Sequence, residues 1–200
     1  MINKIAAVFF LILTLPLIAI IYVVTKMTSK GQFIFKQKRV GKGMKIFTMY
    51  KIRAMIEGAE KVKRKYYSLN EVDGPTFKIH NDPRHTKVGR FLSHTGLDEL
   101  PQLINVLKGE MALVGPRPLP VDEAFKIPLK YKKRFTVLPG ITSPWIVKGA
   151  HKLTFAQWME LDLEYIKRKS LWYDIKILFL TIQLVLSIFF RKLFGNDGKK

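Results

Sequence analysis

Two acids stand side by side in an otherwise apolar stretch, "GLDELPQLINVLKGEM" at residues 96–111, just ahead of a proline. Leu100, Leu103, Ile104 and Leu107 recur at helical spacing, and Lys108 followed by Gly109 supplies a cation and then a stop. Pro101 fits only a first helical turn, where backbone N–H groups lack intrahelical partners, so a helix is expected over about residues 98–108. Asp98 and Glu99 would then occupy the positive end of its dipole, which favours the ionised carboxylate and lowers its pKa. The free N–H groups there face whatever lies in front of the helix, so an anion could dock beside the acids. Two negative groups repel unless a divalent cation bridges them, and Mg²⁺ is the usual hard cation joining carboxylate to phosphate. Aspartate, adjacent glutamate and Mg²⁺ suit nucleophilic phosphoryl transfer through an acyl phosphate. The same pair also suits plain helix capping, at about 0.3–1 kcal/mol per acid.

The rest of the chain must hold that pair in place. Its 200 residues, 48% of them hydrophobic, suit one globular domain plus attachments. Thirty-five Lys and Arg against fifteen Asp and Glu leave a formal charge of +20, which implies an anionic partner: nucleic acid, acidic lipid or a phosphorylated substrate. The absence of cysteine excludes a disulfide scaffold and a thiolate metal site. His80, His85, His94 and His151 lie scattered without ligand spacing. No repeat, P-loop, GxGxxG or HExxH motif occurs.

Both ends of the chain favour lipid. Residues 5–24 carry no charge, and about twenty apolar residues is the length that crosses a bilayer. Lys26, Lys30, Lys36, Lys38 and Arg39 follow this run and only Lys4 precedes it, which places the main domain on the cytoplasmic side. Pro16 interrupts the run, so the helix either crosses with a kink or breaks there and returns to the same face. Near the other end, residues 177–190 are apolar but too few to span. With Trp172 and Tyr173 before them and Arg191 and Lys192 after, they read as an interfacial helix, or as a core helix packed on the domain. Residues 195–200 read as a frayed tail. Between the ends, residues 32–40 and 45–52 alternate around Gly41 and Gly43 as a β-hairpin, and the polar residues 57–81 read as a helix followed by an exposed loop.

At "DPRHTKVGRFLSHTGLDELPQLINVLKGEMALVGPRPLP", residues 82–120, the chain resembles the bacterial sugar transferase family, the small monotopic phosphoglycosyl transferases. LDELPQL, NVLKGEM and VGPRP follow one another in family order. The likeness extends through "FKQKRVGKGMKIFTMYKIRAM", "LPGIT" and "ELDLEYIKRKSLWYDIKILFLT". The resemblance implies transfer of a sugar 1-phosphate from a UDP-sugar to polyprenyl (undecaprenyl) phosphate at the cytoplasmic face of the bacterial inner membrane, with Mg²⁺ as cofactor and UMP released, as an initiating step of glycan assembly. It implies Asp98 as the nucleophile that takes the phosphosugar covalently, with Glu99 its partner in metal binding and catalysis. It also makes the N-terminal helix re-entrant, with Pro16 as the bend, and the chain a minimal catalytic form.

Arg117, stiffened between Pro116 and Pro118, is expected to meet nucleotide or phosphate with its planar fork. Arg53 and Asp162 fall on family positions associated with the active site. The family usually has arginine and serine where this chain has Ser93 and Gly96, and Arg90 is expected to supply the lost cation, with Arg84 adding positive potential. Residues 143–150, "SPWIVKGA", also depart from the family pattern. The expected fold is α+β and mostly helical with a small hairpin: a re-entrant membrane helix at 1–28, a catalytic domain with its interfacial helix at 29–194, and a tail at 195–200. Two other functions fit the composition: a membrane scaffold for glycan enzymes, and a membrane-tethered nucleic-acid binder, which leaves the acidic motif unexplained. No nucleic acid is therefore expected as a partner, and the sequence leaves the oligomeric state open.

Overall fold

A computed structural model describes residues 2–149 and 153–194, so the expectations for His151, Ala150 and the tail lie outside the described residues. The apolar run forms α1 (Ile2–Thr28), which stays helical through Pro16 instead of stopping there. Thr14 Oγ1, two residues before the proline, donates to the Phe10 carbonyl at 2.7 Å. The expected hairpin follows: β1 (Ile34–Val40) and β2 (Ile46–Ile52) are antiparallel, from Ile34 opposite Ile52 to Val40 opposite Ile46. Then come α2 (Lys87–Thr95), α3 (Gln102–Lys108), β3 (Ala112–Val114), β4 (Leu119–Pro120), α4 (Val121–Ala124), β5 (Gly140–Thr142), α5 (Pro144–Val147), α6 (Phe155–Arg168) and α7 (Leu171–Phe194). β4 extends the hairpin into a sheet of order β2-β1-β4, and β3 pairs in parallel with β5. The fold is thus predominantly helical with small sheets.

Residues 57–81 do not form the expected α-helix. A 3-10 segment (Lys63–Leu69) gives way to a loop folded on itself by Asn70, whose amide donates to the Val72 and Thr76 carbonyls and accepts from Lys78 N. The stretch has too few apolar residues at helical spacing to bury a face, and it serves as a wall.

Three buried clusters hold the fold together. One centres on Trp145 and Trp158, whose rings stack with centroids 4.4 Å apart. Its helix α6 starts at a capping box, Thr154 with Gln157. The second joins Ala7 of α1 and Ile177 of α7 to Leu103, Val106, Met111 and Tyr165. The third joins Ile21 of α1 to Ile52 and Leu92. Burying a side chain such as Ile21 contributes roughly 1.5–3 kcal/mol.

α1 is therefore seated on the domain near both of its ends. Asn3 Oδ1 accepts from Leu113 N at 3.2 Å, and at the other end Arg53 donates to the carbonyls of Ser29 and Lys30. α7 is fastened too, through Thr181 Oγ1 to Thr142 Oγ1 at 2.7 Å and Asp174 Oδ1 to the Tyr165 hydroxyl at 2.8 Å. Its outer face, Ile175, Phe179, Ile182, Leu186 and Phe190, stays exposed in a continuous stripe. α7 is longer than the apolar core at 177–190, expected to be too short to span, because it runs from Leu171 to Phe194. By length and composition both helices could therefore cross a membrane, and each presents an uncovered apolar face compatible with membrane association.

Candidate active site

The acids do not begin α3. They sit in a 3-10 turn (Leu97–Glu99) ahead of it, and Pro101 continues into the helix, which starts at Gln102. Gly96 makes this possible: at φ 74° it ends α2 in the left-handed region and opens the acidic turn. That conformation favours glycine over the serine usual in the resembled family.

Asn105 fixes the register of this segment against the hairpin. Its side chain is fully buried, accepts from Tyr50 N at 3.1 Å and donates to the Thr48 carbonyl at 2.7 Å. Those are edge groups of β2, so one amide satisfies the strand edge and locks α3 beside Lys51. Lys51 Nζ consequently lies 2.7 Å from Glu99 Oε1 and 3.5 Å from Asp98 Oδ2.

Arg117 meets the same glutamate oxygen, Nη2 to Oε1 at 2.9 Å. Its loop is set by a close crossing of two motifs. Gly115 N donates to the Thr142 carbonyl and Gly140 N to the Pro116 carbonyl, both at 3.0 Å. A Cβ on either glycine would run into the other segment's backbone. The loop is pinned again from below, where Arg134 Nη2 donates to the Arg117 carbonyl at 2.9 Å and to Asp162 Oδ2 at 2.7 Å.

Burial and the neighbouring charges set the two acids apart. Asp98 is pushed up to about 6, by burial first and then by the Glu99 charge, with Lys51 and Arg117 opposing. This reverses the lowering expected at a helix start, because lost hydration outweighs the dipole. Burial acts on Glu99 too, but Arg117 and Lys51 override it and hold that carboxyl well below the usual range.

The cluster forms part of the wall of a cavity of about 1040 Å³, ample for a nucleotide-sized ligand. Arg39, Lys78 and Trp145 also line it. Burial, then Arg117, lowers Arg39 to about 10 and Lys78 to about 8. Cations crowded together in this way fit a polyanionic ligand. Lys78 Nζ and the Arg117 guanidinium lie over the Trp145 ring at 4.5 and 5.9 Å.

Of the residues singled out by sequence, Asp98, Glu99 and Arg117 come together, and Arg53 lines the cavity while holding the end of α1. Arg90 is exposed and Asp162 is fully buried against Arg134, and neither lines the cavity. Arg84 is spent on Asp82. The cation beside the acids is Lys51, which the sequence reading did not single out as a site residue, and neither did it assign Arg39, Lys78 or Trp145 individually to the site. The hairpin's basic alternation, which reads equally well as a solvated face, was the available signal for Arg39 and Lys51. Three of the four histidines come together, with His80 stacked on His94 at 4.9 Å and His85 at 6.5 Å from His94, all on the cavity wall, and they form no metal-holding group among the described residues.

No donor among the described residues bonds Asp98 Oδ1 or Glu99 Oε2. Mg²⁺ is commonly held by one or two carboxylates together with substrate phosphates, so this pair fits that ion. Among the described residues no group of three or more acidic or histidine side chains could hold a metal unaided.

A buried carboxylate pair shared by two cations lies here in a basic cavity, on a domain whose uncovered apolar helices are compatible with membrane association. The family model for bacterial sugar transferases matches residues 1–188, and the chain belongs to that family. It is 46% identical over 157 residues to the galactosyl transferase CpsE of Streptococcus agalactiae, covering 78% of this chain and 35% of that protein. It is 38% identical to the undecaprenyl-phosphate galactose phosphotransferase of Salmonella typhimurium, covering 92% of this chain and 39% of that one. The chain therefore spans less than half the length of these two relatives. With the exopolysaccharide production protein ExoY of Rhizobium meliloti it shares 34% identity over 92% of this chain and 83% of that protein.

Proposed function

We propose that the protein transfers a sugar 1-phosphate from a UDP-sugar to polyprenyl phosphate by way of Asp98, as an initiating step of glycan assembly. The observation that carries this reading is the Lys51, Asp98, Glu99 and Arg117 cluster on the cavity wall. In the first half-reaction an Asp98 carboxylate oxygen attacks the sugar-bearing phosphorus. A P–O bond forms to Asp98, the bridging P–O bond of the diphosphate breaks, and UMP leaves with the electron pair. In the second, a phosphate oxygen of polyprenyl phosphate attacks the same phosphorus, and the bond to Asp98 breaks to restore the carboxylate.

An Asp98 carboxyl near 6 is mostly ionised at neutral pH yet poorly hydrated, a combination that suits a nucleophile. Arg117, Arg39 and Lys78 are placed to neutralise the donor's diphosphate. Mg²⁺, held by Asp98 and Glu99, would supply further charge neutralisation there.

The proposed membrane placement is monotopic, with the domain on the cytoplasmic face. In its favour, α1 is about 40 Å long, more than the roughly 30 Å of a hydrocarbon core, and yet both its ends touch the same domain.

The test is UMP release from a panel of UDP-sugars with undecaprenyl phosphate and Mg²⁺, beside Asp98→Asn. Release with one donor, abolished by the substitution, together with a phosphosugar adduct on the Asp98 peptide, is the expected result. Full activity in Asp98→Asn overturns the reading.

A further inference from the structure

The cavity that holds Asp98 reaches membrane-type surface in only one direction among the described residues. Of the two long apolar helices, α1 contributes nothing to its wall, whereas α7 contributes Leu184, Val185, Ile188, Arg191 and Lys192. Between these and Asp98 the wall is Ser93, His94, Thr95 and Gly96, the end of α2. α2 and α7 are held together there by the edge contact of Phe91 with Phe189, ring centroids 6.0 Å apart. α7 thus has two apolar faces with different neighbours. One is the exposed stripe through Phe179, Ile182, Leu186 and Phe190, and the other looks into the cavity.

We infer that α7 forms the port through which the lipid-borne acceptor reaches Asp98, with Leu184, Val185 and Ile188 lining the path of the isoprenoid chain and Arg191 and Lys192 receiving its phosphate. The inference rests on the reaction proposed above and adds where the second substrate enters. The ligand class follows from the chemistry of the port: an apolar wall continuous with lipid-facing surface, ended by two cations and leading to a nucleophile that hands over a phosphosugar. An apolar tail with a phosphate at one end satisfies all three features. A water-soluble acceptor has no use for the first. Phosphatidylglycerol shares the anionic head but carries diacyl chains, and it serves as the discriminating competitor.

The experiment uses the full chain in nanodiscs with a photoreactive polyprenyl phosphate, cross-linked and mapped by peptide mass spectrometry without donor or turnover. The expected result is labelling within residues 184–192 that undecaprenyl phosphate suppresses and phosphatidylglycerol does not. Arg191→Gln with Lys192→Gln should lower that labelling about tenfold, as the loss of charge-assisted contacts to phosphate predicts. Both side chains lie outside the buried core, and Ile188→Trp, which narrows the port without touching charge, should lower it as well. Suppressible labelling that maps to α1, or equal competition by phosphatidylglycerol, overturns the port and leaves the proposed reaction standing. No suppressible labelling anywhere on the chain removes polyprenyl phosphate as acceptor, and the proposed reaction with it.

Discussion

Two adjacent carboxyls titrate far apart because they share two cations unequally. Lys51 Nζ is 2.7 Å from Glu99 but 3.5 Å from Asp98, and Arg117 bonds only Glu99. Asp98 carries the desolvation with less compensation, so the rate should fall as pH drops through about 6. Lys51→Met removes the main group opposing that rise, so the acid limb of a kcat/KM profile should move to higher pH while the rate falls. An unmoved limb would show that Lys51 does not tune Asp98. A raised carboxyl pKa also has a sign in stability: the folded state holds the proton more tightly, so this contribution is present below about 3.8 and is lost as pH rises through about 6. Asp98→Asn should therefore melt a few degrees higher than the parent at pH 7.5, with the difference closing below pH 4. The acidic pair was legible in sequence because its neighbours set its local geometry. Lys51 was not, since nothing local ties it to a residue 47 positions away.

Elements are brought together here by a few buried contacts that hydropathy does not reveal. Asn105→Leu should leave the Tyr50 N–H and Thr48 carbonyl unpaired, costing about 1–3 kcal/mol. It should also lower kcat more than it raises the donor KM, because it loosens Asp98 relative to Lys51. Chemical denaturation and steady-state kinetics on the same preparation check both. Gly140→Ala pushes a methyl into the Gly115 backbone, so a loss of about 1–3 kcal/mol and a displaced Arg117 loop are expected in the same assays. The hairpin and the helical character of the chain were readable from alternation and spacing. The β3 with β5 pairing was not, because three-residue strands carry no period of their own. Asp162 illustrates the same limit: its position suggested a substrate contact, and its fully buried side chain instead supports Arg134, which holds the Arg117 carbonyl.

At the scale of the whole molecule, a formal charge of +20 and two apolar stripes both favour an anionic bilayer, and salt separates their contributions. At 1 M NaCl the Debye length shrinks to about 3 Å, so attachment through charge alone would be lost. The protein should remain with sedimented vesicles under those conditions, whereas Phe9→Glu combined with Phe179→Glu and Leu186→Glu should release it. The length of the N-terminal run announced the membrane; how α1 lies was hidden, because that depends on Asn3 meeting Leu113 and on Arg53 meeting the chain beyond Thr28.

On the proposed monotopic placement, clipping a long apolar helix to its own domain at both ends does something that a flexible tether cannot: it sets the depth at which the molecule floats. Asp98, the proposed nucleophile, would then stand at one height above the acyl chains. On the proposed reaction the enzyme measures where the acceptor's phosphate lies and takes no account of how far the tail extends into the bilayer. Polyprenyl phosphates of different length, once embedded at equal surface density, should turn over at similar rates.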